Sequence, residues 1–231
     1  MMSKKITCFL PCRQGSERVP RKNIKPFAGY EFGLIQIKIK QLLNARLIDE
    51  IVISTDDKSI IDYAESIEDA RLIIHNRDVR LASSTTSTDD LVAHALELIP
   101  EGHILWTHVT SPFINSAKYD EIIESYFAQL GSGFDSLMTT TLIHSFLWQH
   151  GQPLNYDRLK EKWPRSQTLE AVDEVNSGAF LASSNIYREH NDRIGKAVYL
   201  HHLDKLVSHD IDWPADFIIA ECLAEKRLVA L

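Results

Sequence analysis

The chain is short of the features that mark whole classes of protein. It has three cysteines in 231 residues, Cys8, Cys12 and Cys222. They are odd in number and lack metal-ligand spacing, which excludes a disulfide scaffold and points to a reducing, cytoplasmic setting. No apolar run is long enough to cross a bilayer. Lys4 and Lys5 precede an apolar run of only about five residues, so no secretory leader is expected. Positive charge is not in excess, and the formal net charge is −7. That balance tells against a nucleic-acid partner and against a membrane surface. The ten histidines are scattered, with no HExxH pattern. The adjacent pair His201-His202 fits a solvated or interface position better than a metal site. No internal repeat and no low-complexity segment is present.

What is present suits one α/β domain over 1–231. Apolar residues make up 44% of the chain, enough for a sizeable core. The most informative stretch is Leu10-Pro11-Cys12-Arg13-Gln14-Gly15-Ser16-Glu17-Arg18-Val19-Pro20-Arg21-Lys22-Asn23. It follows an apolar run at 6–10 that predicts a first strand. Arg13, Arg18, Arg21 and Lys22 crowd into ten residues of an otherwise acidic chain. Loop N–H groups near Gly15 and Ser16, with these cations, suit a polyphosphate. The bland alternative is a solvated basic loop.

Strand and helix patterns then alternate. Helices are predicted over 32–47, 59–66, 88–98 and 118–130, and strands over 50–56, 71–75, 104–108 and 136–141. This βαβ rhythm predicts a mostly parallel, Rossmann-like sheet covered on both faces. Ligands bind such sheets at the C-terminal strand ends. The 11–23 loop, the Ser54-Thr55-Asp56 corner and the Thr110-Ser111-Pro112 turn all fall there. Over 144–175 the rhythm is lost, and the segment reads as an insertion. Trp148 and Trp163 would suit a subunit interface, giving a homodimer; the alternative is a long surface flap. Strands at 178–182 and 196–200 and a helix over 213–225 complete the chain, with Pro214 in that helix's first turn.

Asp210 and Asp212 stand two residues apart, so an extended segment would point both to one side. Paired carboxylates beside a triphosphate suit Mg²⁺, which takes few protein ligands and keeps phosphate oxygens and waters. The alternative is a helix cap ahead of Trp213-Pro214.

In order along the chain, the motifs resemble those of the acylneuraminate cytidylyltransferases, the CMP-sialic acid synthetases. Pro11-Cys12-Arg13-Gln14-Gly15-Ser16 with Lys22-Asn23 is similar to the family's P-A-R-x-G-S-K followed by K-N. Ile53-Ser54-Thr55-Asp56 resembles V-S-T-D. Arg77, then Leu81-Ala82-Ser83 and Thr85, resembles R-P-x-x-L-A-x-D-x-T. Thr110-Ser111-Pro112 resembles P-T-S-P, and Ser177-Gly178-Ala179-Phe180 resembles N-G-A plus an aromatic. Asp210-Ile211-Asp212, then Asp216-Phe217, resembles D-I-D with D-F. The likeness spans nearly the whole chain.

The resemblance implies a nucleotidyltransferase fold of the glycosyltransferase-A type, a dimer built through the inserted segment, and CTP and a nonulosonic acid as substrates. It implies nucleotide-binding roles for Arg13, Gly15, Ser16, Arg18, Lys22, Asn23, Arg77, Thr86 and Thr88. Lys22, Arg13 and Asp212 would be catalytic, and Asp210 with Asp212 would hold Mg²⁺. On the sugar side it implies His108, Thr110, Ser111, Arg165, Gln167 and Ser177, with Arg165 pairing the sugar carboxylate.

Four positions depart from the sialate pattern: Glu17, His108, Ile114 and Val175. Arg18-Val19-Pro20-Arg21-Lys22-Asn23 leans instead towards the pseudaminic acid relatives, whose motif is R-I-P-R-K-N. Three rival readings stay open on the sequence. They are a CMP-Kdo-type synthetase, disfavoured by Lys22-Asn23, an enzyme for another nucleotide, and a non-catalytic nucleotide-binding module.

Overall fold

A computed structural model describes residues 4–83 and 85–231. The elements run β1 (Ile6–Cys12), α1 (Gly33–Asn44), β2 (Glu50–Thr55), α2 (Lys58–Glu65), β3 (Leu72–Asn76), α3 (Thr88–Leu98), β4 (His103–Thr107), α4 (Ser116–Leu130), β5 (Ser136–Ile143), β6 (Trp148–Gln149), β7 (Gln152–Pro153), β8 (Val172–Ser183), α5 (Ser184–His190), β9 (Val198–His202) and α6 (Pro214–Glu225). The order matches the βα alternation read from the sequence.

Local chemistry sets the helix ends. Asp57 caps α2 by accepting from the Ser59 N–H. Ser87 and Asp90 form a reciprocal capping box at α3, and the Asn115 side chain caps α4. Gly33 opens α1 at φ +56°, where a Cβ would lie 1.9 Å from the Lys25 carbonyl oxygen. Any other residue there would have to move the backbone.

Seven strands form one sheet in the order β3-β2-β1-β4-β8-β5-β9. Strands β1, β2, β3 and β4 are mutually parallel, as are β5 and β9, while β8 is antiparallel to both of its neighbours. The central strands are apolar on both faces because helices cover both. Leu10, Ile53 and Leu105 pack with Leu34, Ile35 and Ile122 in one cluster. Phe9, Trp106 and Phe180 pack with Val92 and Ala95 in the other.

Strand β8 begins at Val172, so 172–175, expected inside the insertion, belong to the sheet. Helix α5 was not predicted. The β5–β8 register slips between Met138 and Thr140, and Asn176-Ser177-Gly178 bulges from β8 at that point. The Thr139 hydroxyl plugs the bulge. It donates to Asn176 Oδ1 at 2.6 Å and accepts from the Ala179 N–H at 2.9 Å. Ser177 itself has φ +55°, a left-handed conformation that a non-glycine residue holds only when its surroundings fix it.

The inserted segment carries the short β6–β7 ribbon, turning at His150 and Gly151 with positive φ. Asn155 ties its two ends together, donating to the Ser145 and Glu170 carbonyls and accepting from the Leu147 N–H. Phe146, Trp148, Tyr156 and Trp163 form an aromatic group beneath the Arg158 guanidinium. Trp163 is 61% exposed and Leu159 97% exposed. Among the described residues no helix is long and apolar enough to cross a membrane.

Candidate active site

The loop after β1 and the turn after β4 meet at one sheet edge, as the strand ends require. Between them lies a cleft of about 290 Å³, walled by Arg13, Ser16, Arg18 and Lys22 on one side and by His108, Thr110 and Asp212 on the other. The 11–23 loop is braced from behind. The Gln14 N–H donates to Asp56 Oδ1 at 2.9 Å. The Asn23 side-chain amide donates to the Arg13 carbonyl at 3.2 Å, across the neck of the loop. Arg77 is buried beneath it, donating to the carbonyls of Cys12 and Ser54 and to Ser54 Oγ.

Several of the expected nucleotide residues therefore serve differently. Arg13, Ser16, Arg18, Lys22 and Asn23 line the cleft. Arg77 instead spends its donors holding the loop. Thr86 donates to the Arg80 carbonyl and Thr88 is exposed in the first turn of α3; neither lines this cleft. A Cβ at Gly15 would make only ordinary contact, 3.6 Å from Arg13 Nη1, so that position does not demand glycine.

Lys22 reaches across the cleft. Its Nζ donates to the Ile211 carbonyl and lies 3.6 Å from Asp212 Oδ1. Burial pulls its pKa below the ordinary lysine value, opposed by the charges of Asp212 and Asp210. Arg18 Nη2 donates to Asp212 Oδ1 at 3.0 Å, and its guanidinium lies 4.8 Å from the centre of the Trp213 ring. Asp212 thus neutralises the same cations that a phosphate would need.

Asp210 and Asp212 sit on the irregular segment that leads into α6. The Ile211 N–H between them donates to the Thr110 carbonyl at 3.0 Å, and the Ile211 side chain is fully buried. Asp216 holds the C-terminal end, accepting from the Asp212 and Trp213 N–H groups. Asp216, rather than Asp210 or Asp212, caps α6. Asp210 and Asp212 both border a second cavity of about 420 Å³, with Val175, Ser177, Lys205, His209 and Trp213. Asp212 lines both cavities.

The expected sugar-side residues divide. His108 accepts from Trp106 Nε1–H at Nε2 and meets the Ser177 carbonyl through Nδ1 at 2.8 Å. The two bonds fix a neutral ring protonated at Nδ1, and burial lowers its pKa further. Thr110 lines the first cleft and Ser177 the second cavity. Ser111 is buried, donating weakly to Asp210 Oδ1 at 3.4 Å. Arg165 and Gln167 are exposed on the inserted segment and line neither cavity. Of the four departures, Glu17 and His108 face the first cleft and Val175 faces the second cavity. Ile114 is core, packed under Gly178, where a Cβ would meet Ile114 Cδ1 at 2.4 Å.

A family model described as cytidylyltransferase matches residues 7–228. The chain belongs to the cytidylyltransferase family. It is 32% identical to the CMP-N,N'-diacetyllegionaminic acid synthase of Legionella pneumophila, over 98% of this chain and 99% of that one. It is 32% identical to the pseudaminic acid cytidylyltransferase of Campylobacter jejuni over 53% of each chain. The N-acylneuraminate cytidylyltransferase of Oncorhynchus mykiss is 27% identical over 97% of this chain and 50% of that one. The match spans about half the length of these last two relatives. Among solved structures, a CMP:2-keto-3-deoxy-manno-octonic acid synthetase complexed with CTP superposes with TM-score 0.66 at 14% identity, covering 96% of this chain and 99% of that one. A 4-diphosphocytidyl-2C-methyl-D-erythritol synthase from Anaerococcus prevotii gives 0.65 at 13%, covering 97% and 98%. These two share the α/β fold of this chain.

Sequence reasoning missed two buried polar residues of α1. Lys38 Nζ donates to the Ser111 carbonyl at 2.8 Å, the Ile114 carbonyl at 3.3 Å and Tyr119 Oη at 2.7 Å. Gln41 donates to the Pro112 carbonyl. Together they hold the 110–114 turn. The signal was there: Lys38 lies midway between Leu34 and Leu42, in the middle of the buried stripe of α1.

Proposed function

We propose that this cytidylyltransferase transfers the cytidylyl group of CTP to the anomeric hydroxyl of a nonulosonic acid. The hydroxyl oxygen forms a bond to the α-phosphorus, the bond from that phosphorus to the bridging oxygen breaks, and pyrophosphate leaves with the hydroxyl proton released to solvent. The observation that carries the reading is the pair of adjoining cavities meeting at Asp212. One is a narrow cationic cleft suited to a triphosphate, and the other is wide enough for a sugar acid. Two substrates held on either side of one carboxylate can be brought in line, which removes much of the entropic barrier. Arg13, Arg18 and Lys22 would stabilise charge on the phosphates as it redistributes.

Asp210 and Asp212 suit Mg²⁺ in donor chemistry. They are hard carboxylate oxygens at the cleft's edge, and Asp212 is 47% exposed on its side chain. Among the described residues no group of three or more His, Cys, Asp or Glu side chains is arranged to hold a metal, so phosphate oxygens and water would supply the remaining ligands. When bound, the metal would neutralise phosphate charge and acidify the attacking hydroxyl.

The acceptor is proposed to be of the pseudaminic or legionaminic type. Both relatives bearing those names are 32% identical, against 27% for the fish N-acylneuraminate enzyme. Val175 supports this, placing an apolar, half-exposed group on the wall of the second cavity. The exposed aromatic group of the inserted segment supports a homodimer, in which Arg165 and Gln167 would serve a neighbouring subunit's site. A cytoplasmic location completes the proposal. The test is pyrophosphate release with Mg²⁺ and a panel of sugar acids, comparing CTP with UTP, ATP and GTP. Release with CTP and a nonulosonic acid is expected. CTP binding without release from any acid would instead favour a non-catalytic module.

A further inference from the structure

We infer that Lys38 is a positioning residue that sets the geometry of the acceptor side more than that of the 11–23 loop; this rests on the function proposed above. Lys38 is fully buried in α1 and touches neither cavity. A lysine in that position must spend every proton or bear the full cost of desolvation. It spends them on the Ser111 and Ile114 carbonyls and on Tyr119 Oη.

Two arms leave from there. The first passes through the 110–114 turn. The Thr110 carbonyl accepts from the Ile211 N–H, and the Ser111 hydroxyl reaches Asp210. This arm seats the segment that bears both carboxylates. The second arm is a relay of hydroxyls whose direction the acceptors fix. Thr107 Oγ1 donates to the Gly178 carbonyl at 2.7 Å, so it must accept from Tyr119 Oη, also at 2.7 Å. Tyr119 Oη has then given its proton and must accept from Lys38. The relay ends in the Asn176-Ser177-Gly178 bulge, where Ser177 holds a positive φ and borders the second cavity. One buried ammonium therefore braces two walls of that cavity, Asp210 and Ser177, from behind. The backbone of the 11–23 loop has braces of its own, namely Asp56, Asn23 and Arg77, and meets this segment only through the side chains of Arg18 and Lys22.

Lys38→Met and Tyr119→Phe test this, with the full chain throughout. Affinity for CTP without metal should stay within about twofold of the unmodified protein. The kcat/KM for the sugar acid should fall about tenfold or more, since small misplacements at a reacting centre cost up to about a hundredfold. The double variant should be no worse than Lys38→Met alone, because both act along one chain of bonds. Amide hydrogen exchange gives a readout that needs no turnover. Lys38→Met should speed exchange at Ile211 and at Gly178 and Ala179. Tyr119→Phe should speed it at Gly178 and Ala179 only. Neither should alter Ile35, whose N–H is bonded to the Asn23 carbonyl beside the phosphate loop.

If Lys38→Met does not fold, Tyr119→Phe and Thr107→Val carry the test. Equal losses in CTP affinity and acid turnover, or uniform acceleration of exchange that includes Ile35, would overturn the inference and leave Lys38 a core residue. Absence of turnover in the unmodified protein would refute the proposed function, and the exchange pattern would still decide the role of Lys38.

Discussion

Asp212 is paired with the cations proposed to hold the triphosphate, and that makes Asp212→Asn a two-sided test. Without ligand, its carboxylate is paired to Arg18 at 3.0 Å and to Lys22 at 3.6 Å. A triphosphate entering the cleft has to take both cations from it. The Arg18 pair is about half exposed on both sides and is worth roughly 0.5 kcal/mol. The Lys22 side chain is only 12% exposed, so its pairing is screened less and is worth roughly 1 kcal/mol. Together they oppose metal-free CTP by about 1.5 kcal/mol, or about tenfold in affinity. Asparagine keeps the shape and removes the charge. Titration calorimetry in the presence of a chelator should therefore show CTP binding about tenfold more tightly to Asp212→Asn. With Mg²⁺ supplied, the same variant should lose about a hundredfold or more in turnover, because a charged ligand of the proposed metal is gone. Binding and catalysis should move in opposite directions. Unchanged or weaker metal-free binding would mean that Asp212 does not compete with phosphate, and the ion-pair argument would fail.

Lys22→Ala should stay folded and lose about a hundredfold in turnover, corresponding to about 3 kcal/mol of transition-state stabilisation; near-normal turnover would remove Lys22 from the reaction. Replacing Trp148 and Trp163 together by serine should shift sedimentation from dimer to monomer, and a monomeric unmodified protein would refute the interface. Gly178→Ala should cost about 1–3 kcal/mol in chemical denaturation, since its methyl would lie 2.4 Å from Ile114 Cδ1; a neutral result would mean that the bulge can shift. Burial lowers the Lys38 pKa to about 7 from an ordinary value of 10.5. Across pH 7–8.5 the unfolded chain therefore binds more protons than the folded one at this group, and stability rises with pH there and is lost as pH falls through 7. Cys8, Tyr119, Asp210 and His108 are the titratable groups facing it, so the slope should be read as the difference from Lys38→Met. A difference that does not change between pH 6 and 8.5 would contradict the assignment.

The loop after β1 and the βα alternation were legible because both are local. A strand that ends in a cationic, glycine-bearing loop has few other readings, and apolar runs of strand and helix length differ in period. Strand direction is not local. Nothing in the run at 172–183 says that β8 lies antiparallel between β4 and β5, and its first residues read as insertion because Asp173, Glu174 and Asn176 break the apolar run. Arg77 shows a second limit. Its motif implied a nucleotide-binding role, but the sequence does not say which way a side chain faces. It faces inward to carbonyls, bracing the start of the 11–23 loop from below.

The buried lysine shows why the acceptor side was harder to read than the phosphate side. The cations proposed for phosphate stand close together in sequence on one loop, at 13, 18 and 22. The walls of the second cavity come from Thr141, 174–177 and 205–216, segments distant in sequence, and two of them are braced from α1 by way of the 110–114 turn and Thr107. Lys38 reaches Ser111 and Tyr119, and Thr107 reaches Gly178, through bonds that each span more than 70 residues of chain; the short Tyr119–Thr107 bond joins the two. In a parallel sheet, catalytic groups at the strand ends are held in place by the helices packed behind them, and a charge in the apolar stripe of such a helix costs too much to persist without several acceptors. A lysine at an interior stripe position is therefore a sequence signal for a hidden brace. In this chain it leads from α1 to the carboxylates and the strained serine, and variants along that line will show how closely acceptor choice depends on the framework behind the site.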